Sequence, residues 1–155
     1  YKYKIFACSG ILFNHDSPLR PKKFVTRKII STAYKIANGK KIRLKLGNIK
    51  IKRDWGWAPD YVKAMNKMLQ IKKPEDFVIA TGELNSLEKF VEYTFNQFDL
   101  DWKKYVDIDK KLFRPYDINS GYGNANKAKQ LLGWVAKNKI FDVIKKMTKY
   151  EDNNA

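Results

Sequence analysis

One cysteine and one histidine in 155 residues leave little room for chemistry that depends on thiolates or imidazoles. Cys8 cannot form an intrachain disulfide, which fits a reducing compartment. His15 cannot anchor a zinc-like ligand set, because no second histidine or cysteine stands at a suitable spacing, and no metal site is expected. A nucleophilic triad fails similarly: Cys8 lies mid-strand and His15 has no identifiable orienting partner. Glycine-rich phosphate loops are missing too, since Gly121-Tyr122-Gly123 holds only two glycines and follows a loop instead of a strand. No apolar run approaches the roughly 20 residues of a membrane span. The alternating start does not read as a leader peptide. A soluble cytoplasmic protein is the expectation, with no catalytic constellation of its own.

Acidic residues are also scarce, 16 against 32 basic ones, so the formal net charge is +16. Taken alone, that excess points to nucleic acid. Arginine is nevertheless sparse, confined to Arg20, Arg27, Arg43, Arg53 and Arg114. A reader of bases or phosphates needs more two-pronged donors than that. The lysines are scattered along the chain among many Asn and Ile, as compositional drift would leave them. A solvated basic surface is therefore favoured, with polyanion binding and attraction of a small anionic ligand as alternatives.

What is present suffices for one domain, residues 1–155, with 44% hydrophobic and 14% aromatic residues. Ile5 to Phe13 reads as a strand buried on both faces. Pro18 and Pro21 then interrupt regular structure. A helix follows from Phe24 to Asn38-Gly39 with Val25, Ile29, Thr32, Ala33 and Ile36 inward, which puts Arg27 and Lys28 in its first turn, where an anion is favoured. Ile42, Leu44 and Leu46 mark a half-exposed strand, with Ile49 to Trp55 returning as its hairpin partner. Pro59 opens a helix predicted to bury Val62, Met65, Met68 and Leu69.

Asp76 to Thr81 is a short strand. Asn85 with Glu88 resembles a capping box before a helix with Leu87, Phe90, Val91, Thr94, Phe95 and Phe98 on its inner stripe. A strand is expected near Lys104 to Ile108, loop from Phe113 to Gly123, a short helix capped by Asn124 and stopped at Gly133, and a last helix through Met147. Residues 151–155 read as a frayed tail. Alternating strands and helices give a small mixed α/β fold.

Arg20, Lys28, Arg53 and Arg114 each stand beside a turn or element end, where together they can hold a phosphate-bearing ligand. Taken singly, each is better read as a surface charge or as paired with Asp16, Asp54, Asp60 or Asp117, and only together do they favour a ligand. Trp55 and Trp57 can line a base pocket, although aromatics at alternating positions more often belong to a core.

Gly10-Ile11-Leu12-Phe13-Asn14-His15, Ser17-Pro18, Phe24-Val25-Thr26-Arg27-Lys28, Leu46-Gly47-Asn48, Lys52-Arg53-Asp54-Trp55-Gly56, Asp60-Tyr61-Val62, the run from Pro74 to Glu83, Phe113-Arg114-Pro115, Lys127-Ala128-Lys129 and Leu132-Gly133-Trp134 resemble GDP-mannose 4,6-dehydratase across nearly the whole chain. The resemblance implies the C-terminal, substrate-binding half of an extended short-chain dehydrogenase/reductase, with the Rossmann half absent. It implies an NADP-dependent lyase: the sugar C4 hydroxyl is oxidised, water leaves across C5 and C6, and hydride returns to C6.

In the family, the cofactor motif, the active-site Thr and Glu, and the Tyr-x-x-x-Lys pair all precede the strand seen here. Tyr1 and Lys4 stand three apart instead of four, so no catalytic residue is assigned. The chain alone is expected to be inactive. The resemblance assigns Asn14, Val25, Lys28, Arg53, Arg114 and Asp117 to GDP-mannose or GDP, Arg53 and Arg114 at the diphosphate. His15 and Arg20 are assigned to NADP, held mainly by an upstream Rossmann domain. The family is usually oligomeric.

Departures are Ser9 for the usual Asn, Leu19 for a basic residue, Asp117 for Glu, Asn124 for Asp, and a short stretch from Gln97 to Lys111. Alternatives are a related nucleotide-sugar reductase or epimerase half and a basic nucleic-acid-binding module.

Overall fold

The computed structural model describes residues 5–153; Tyr1, Lys4 and the last two tail residues lie outside that range. In chain order the elements are β1 (Gly10–Leu12), β2 (Asn14–Asp16), α1 (Val25–Ala37), β3 (Leu44–Leu46), β4 (Lys52–Arg53), β5 (Trp55–Trp57), α2 (Ala58–Met68), β6 (Phe77–Ile79), β7 (Asn85–Ser86), α3 (Leu87–Asn96), β8 (Val106–Ile108), β9 (Ser120–Gly121), α4 (Asn126–Leu132) and α5 (Ile140–Asn153). The mixed α/β class read from the sequence is the one observed.

Two apolar cores organise these elements. The larger is built where α1, α3 and α5 pack together over β3, β5 and β8, around Ile29, Ile30, Phe90, Phe95, Val143 and Met147. Each of these side chains is fully buried. Burial on that scale stabilises by about 1.5–3 kcal/mol per large side chain. The smaller core joins α2, α4 and β6 through Tyr61, Phe77, Ile79, Ala128 and Trp134.

The strands pair in ways that their own patterning does not announce. β3 runs parallel to β8, Leu44 opposite Val106. The expected hairpin with Ile49 to Trp55 does not form. That segment breaks at Asp54, whose buried carboxylate accepts the Thr81 N–H at 2.9 Å, the Thr81 hydroxyl at 2.7 Å and the Gly82 N–H at 2.8 Å. Drawn inward there, the chain changes partners: β4 pairs with β7 and β9, whereas β5 pairs parallel with β2. Ser120–Gly121, expected as loop, thus serves as a two-residue strand.

Four further expectations are corrected. The strand predicted from Ile5 to Phe13 is reduced to β1, and Ile11 is 58% exposed, with Ile5 and Phe6 also open. β1 pairs only with β6, so one edge and one face carry no described neighbour. On α2, Tyr61, Ala64 and Met68 are buried while Val62, Met65 and Leu69 are exposed. The cap of α3 is Ser86, whose hydroxyl accepts the Lys89 N–H at 3.1 Å; Asn85 is taken by β7. Residues 151–153 continue α5, and Glu151 is pinned by Arg27.

Gly133 ends α4 as expected, with φ +57°, whereas the cap position is Ala125 and makes no side-chain bond; Asn124, expected there, stands one residue earlier, its Oδ1 accepting the Asn126 N–H. Lys104 to Ile108 does contain β8. No helix among the described residues is long and apolar enough to cross a membrane.

Candidate functional site

A cleft of about 640 Å³ opens where β2 runs into the loop before α1 and faces β3, β4 and the segment 112–117. Clefts outside strand ends are where α/β folds place ligands. Its lining includes Asn14, Val25, Lys28, Arg53, Arg114 and Asp117, the six residues assigned to the nucleotide sugar, together with Arg20. Residues from four separate stretches of sequence therefore share one wall.

The basic groups are held in different ways. Lys28 in the first turn of α1 donates to the Lys45 carbonyl at 2.6 Å, bridging the helix to β3 across the cleft. Arg53 donates from Nη2 to Asp117 Oδ1 at 2.8 Å and from Nη1 to the Lys52 carbonyl at 2.9 Å and to the Ile118 carbonyl. The pair is mostly sheltered, and it joins two residues assigned to adjacent parts of one ligand. Arg114, by contrast, is exposed at the rim.

Arg20 is organised from beneath. Its Nε lies 2.9 Å from Asp16 Oδ1, its Nη1 donates to the His15 carbonyl at 3.1 Å, and its guanidinium sits 4.1 Å over the Phe24 ring. Asp16 is 2% exposed and also accepts the Thr26 hydroxyl at 2.9 Å. Burial pushes the Asp16 carboxyl above its ordinary range, opposed chiefly by Arg20 and the Thr26 hydrogen bond. The pairings of Arg20 with Asp16 and of Arg53 with Asp117 are those the arginines can make as ordinary structural charges. Both pairs nevertheless sit in the cleft wall.

His15 is not part of that lining. Its ring stacks on Tyr61 at 4.7 Å, and its Nδ1 lies 2.7 Å from the Phe13 carbonyl. Arg27 also departs from the expected anion-binding first turn: it is buried and faces α5. Trp55 lines the cleft from within the core, stacked at a tilt on Phe90 with ring centroids 5.4 Å apart; Trp57 lies outside the cleft, with the Lys146 ammonium 5.9 Å over its ring.

Among the remaining lining residues, sequence reasoning missed Thr26, Lys45, Asn48, Ile51 and Leu112. Thr26 carried a usable signal, a hydroxyl in the first turn of a helix beside the cleft. Ile51 and Leu112 carried none, because an apolar residue facing a cleft looks like one facing a core.

The family model for GDP-mannose 4,6 dehydratase matches residues 1–147. GDP-mannose 4,6 dehydratase 2 of Arabidopsis thaliana is 50% identical over 132 residues, which make up 85% of this chain and 35% of that protein. The Homo sapiens GDP-mannose 4,6 dehydratase is 42% identical over 162 residues, covering 94% of this chain and 44% of that protein. Among solved structures, RMD from Pseudomonas aeruginosa complexed with NADPH superimposes with a TM-score of 0.85 at 16% identity, over 94% of this chain and 48% of that one. A dTDP-glucose 4,6-dehydratase from Bacillus anthracis, in complex with NAD, gives 0.81 at 16% identity, over 94% and 44%. At such identities the structural likeness speaks for the fold alone. The sequence matches go further: the chain belongs to the GDP-mannose 4,6 dehydratase family and spans 35–47% of the length of the curated relatives it matches.

Proposed function

We propose that this chain is the C-terminal substrate-binding part of a GDP-mannose 4,6-dehydratase and that its cleft holds the GDP moiety of GDP-mannose. The observation that carries this reading is the gathering of Asn14, Val25, Lys28, Arg53, Arg114 and Asp117 around one cleft of about 640 Å³. Guanidinium groups suit a diphosphate because each can offer two parallel donors. Lys28 and Arg114 add positive charge to the lining, and Asp117 is available to accept from a ribose hydroxyl once Arg53 turns to the phosphates.

The complete enzyme, in this reading, is an NADP-dependent lyase, and NADP supplies the reversible hydride transfer. The residues present fit that cofactor from one side only. Arg20 lines the cleft, but Asp16 already neutralises it, and His15 stacks on Tyr61. The rest of the cofactor wall would come from an upstream Rossmann domain, and the open edge and face of β1 suit its attachment, since parallel sheets are normally covered on both sides. Without that domain, no turnover is expected, and the oligomers usual in the family would form through contacts of the whole protein.

Calorimetry with GDP and with UDP at one ionic strength tests the assignment. GDP is expected to bind at least several-fold more tightly than UDP. Arg53→Ala is expected to weaken GDP binding by about tenfold or more, the worth of one charge-assisted contact, whereas Lys40→Ala on the exposed surface leaves it unchanged. Equal affinities for the two nucleotides, or equal losses in the two variants, would reduce the cleft to a diffuse basic surface.

A further inference from the structure

The N-terminus of α1 forms one wall of the cleft, yet it lacks the usual capping chemistry. Phe24 stands at the cap position without a side-chain hydrogen bond, and the first turn contains no acidic residue to offset the helix dipole. Three tertiary contacts act there instead. Thr26 is tied to Asp16, and Lys28 is tied to the Lys45 carbonyl. The third is Arg27, which turns away from the cleft and pairs with Glu151 in the last turns of α5.

This third contact is the most sheltered ion pair of the described residues, with the side chains 6% and 13% exposed. The Tyr150 ring lies 6.0 Å from the same guanidinium. A buried arginine is costly unless its charge is matched, so losing Glu151 would leave the Arg27 guanidinium poorly compensated in the first turn of α1. Thr26 and Lys28, the immediate neighbours of Arg27, and Val25 before them all line the cleft.

We infer that Arg27 and Glu151 are positioning residues: the last turns of α5 act as a latch that sets the α1 wall of the nucleotide cleft without touching the ligand. The affinity part of this inference rests on the GDP reading above; the positioning part does not. The latch makes the C-terminal turns of the chain a determinant of ligand affinity, at a distance from the cleft itself.

Two measurements on Glu151→Gln test it. Amide hydrogen exchange is expected to accelerate by about tenfold or more at residues 25–28 while residues 90–95 of α3 keep their protection, and the GDP dissociation constant is expected to rise several-fold. Glu151→Asp, which keeps the charge on a shorter arm, is expected to recover part of both effects and serves as the test variant if Glu151→Gln fails to fold. Unchanged exchange at residues 25–28 would overturn the latch, as would a uniform loss of protection through α3. If exchange responds locally but GDP affinity does not, the link to the cleft is overturned. A wild-type chain that binds no GDP would sink the nucleotide reading, and the exchange arm would still decide the latch.

Discussion

Asp16 shows how one side chain can serve a site and work against its own ionisation. Its carboxylate holds Arg20 and Thr26 in the cleft wall, while burial, the largest influence on it, favours the protonated form. A carboxyl raised in the folded state binds its proton more tightly folded than unfolded. It therefore adds stability below its ordinary value of 3.8, and that contribution is lost as pH rises through the raised value. The advantage of wild type over Asp16→Asn in urea unfolding is expected to be greatest near pH 3.5 and to shrink toward pH 7; a gap that widens over that range would contradict it.

Asp107 behaves oppositely. Its exposed pair with Arg43 holds its carboxyl below the ordinary range, so its contribution disappears as pH falls. The site assignments come from the resemblance; Asp16 and Asp117 stand among the partners the sequence offers these arginines, and the structure pairs Arg20 with Asp16 and Arg53 with Asp117, whereas no sequence signal joins Arg27 in a first turn to Glu151 in a stretch that reads as a tail.

Elements divide along the same line between local and distant causes. The main helices are readable from apolar period and from stops such as Gly133, whereas the caps fall on other residues than their sequence signals suggest. The strands, two or three residues each, carry too little pattern to choose a partner, which is why β3 was read as a hairpin and pairs instead with β8. α2 has two apolar stripes; α4 and β6 decide that Tyr61, Ala64 and Met68 face inward, and no local signal distinguishes that stripe from Val62, Met65 and Leu69. Gly47 shows what such distant packing demands: a Cβ there would lie 2.6 Å from the Leu112 carbonyl oxygen. Gly47→Ala is expected to push away the segment that carries Arg114 and Asp117, weakening GDP binding by about tenfold, with destabilisation of about 1–3 kcal/mol by urea titration. Unaltered affinity would mean that this segment adapts freely.

For the whole molecule, fold class and family were accessible from sequence, whereas the way surface is distributed was not. The Ile5 to Phe13 stretch was expected to be buried on both faces because its residues are apolar; in the structure β1 has β6 on one side and nothing described on the other. Such a strand is a template for further pairing. The same molecule carries a net charge of +16. Mutual repulsion between copies extends over about 10 Å at 0.1 M salt and about 3 Å at 1 M. The lysine coat and the sticky edge thus set a colloidal balance: clear solutions at low ionic strength, and light scattering that grows as salt collapses the repulsion. Ile11→Lys, which places a like charge on the open face, is expected to move that onset to higher salt. Scattering indifferent to both salt and this substitution would show that β1 is not adhesive. Lysine content, which alone reads as a signature of nucleic-acid binding, is on this expectation what keeps a molecule with an open strand edge dispersed.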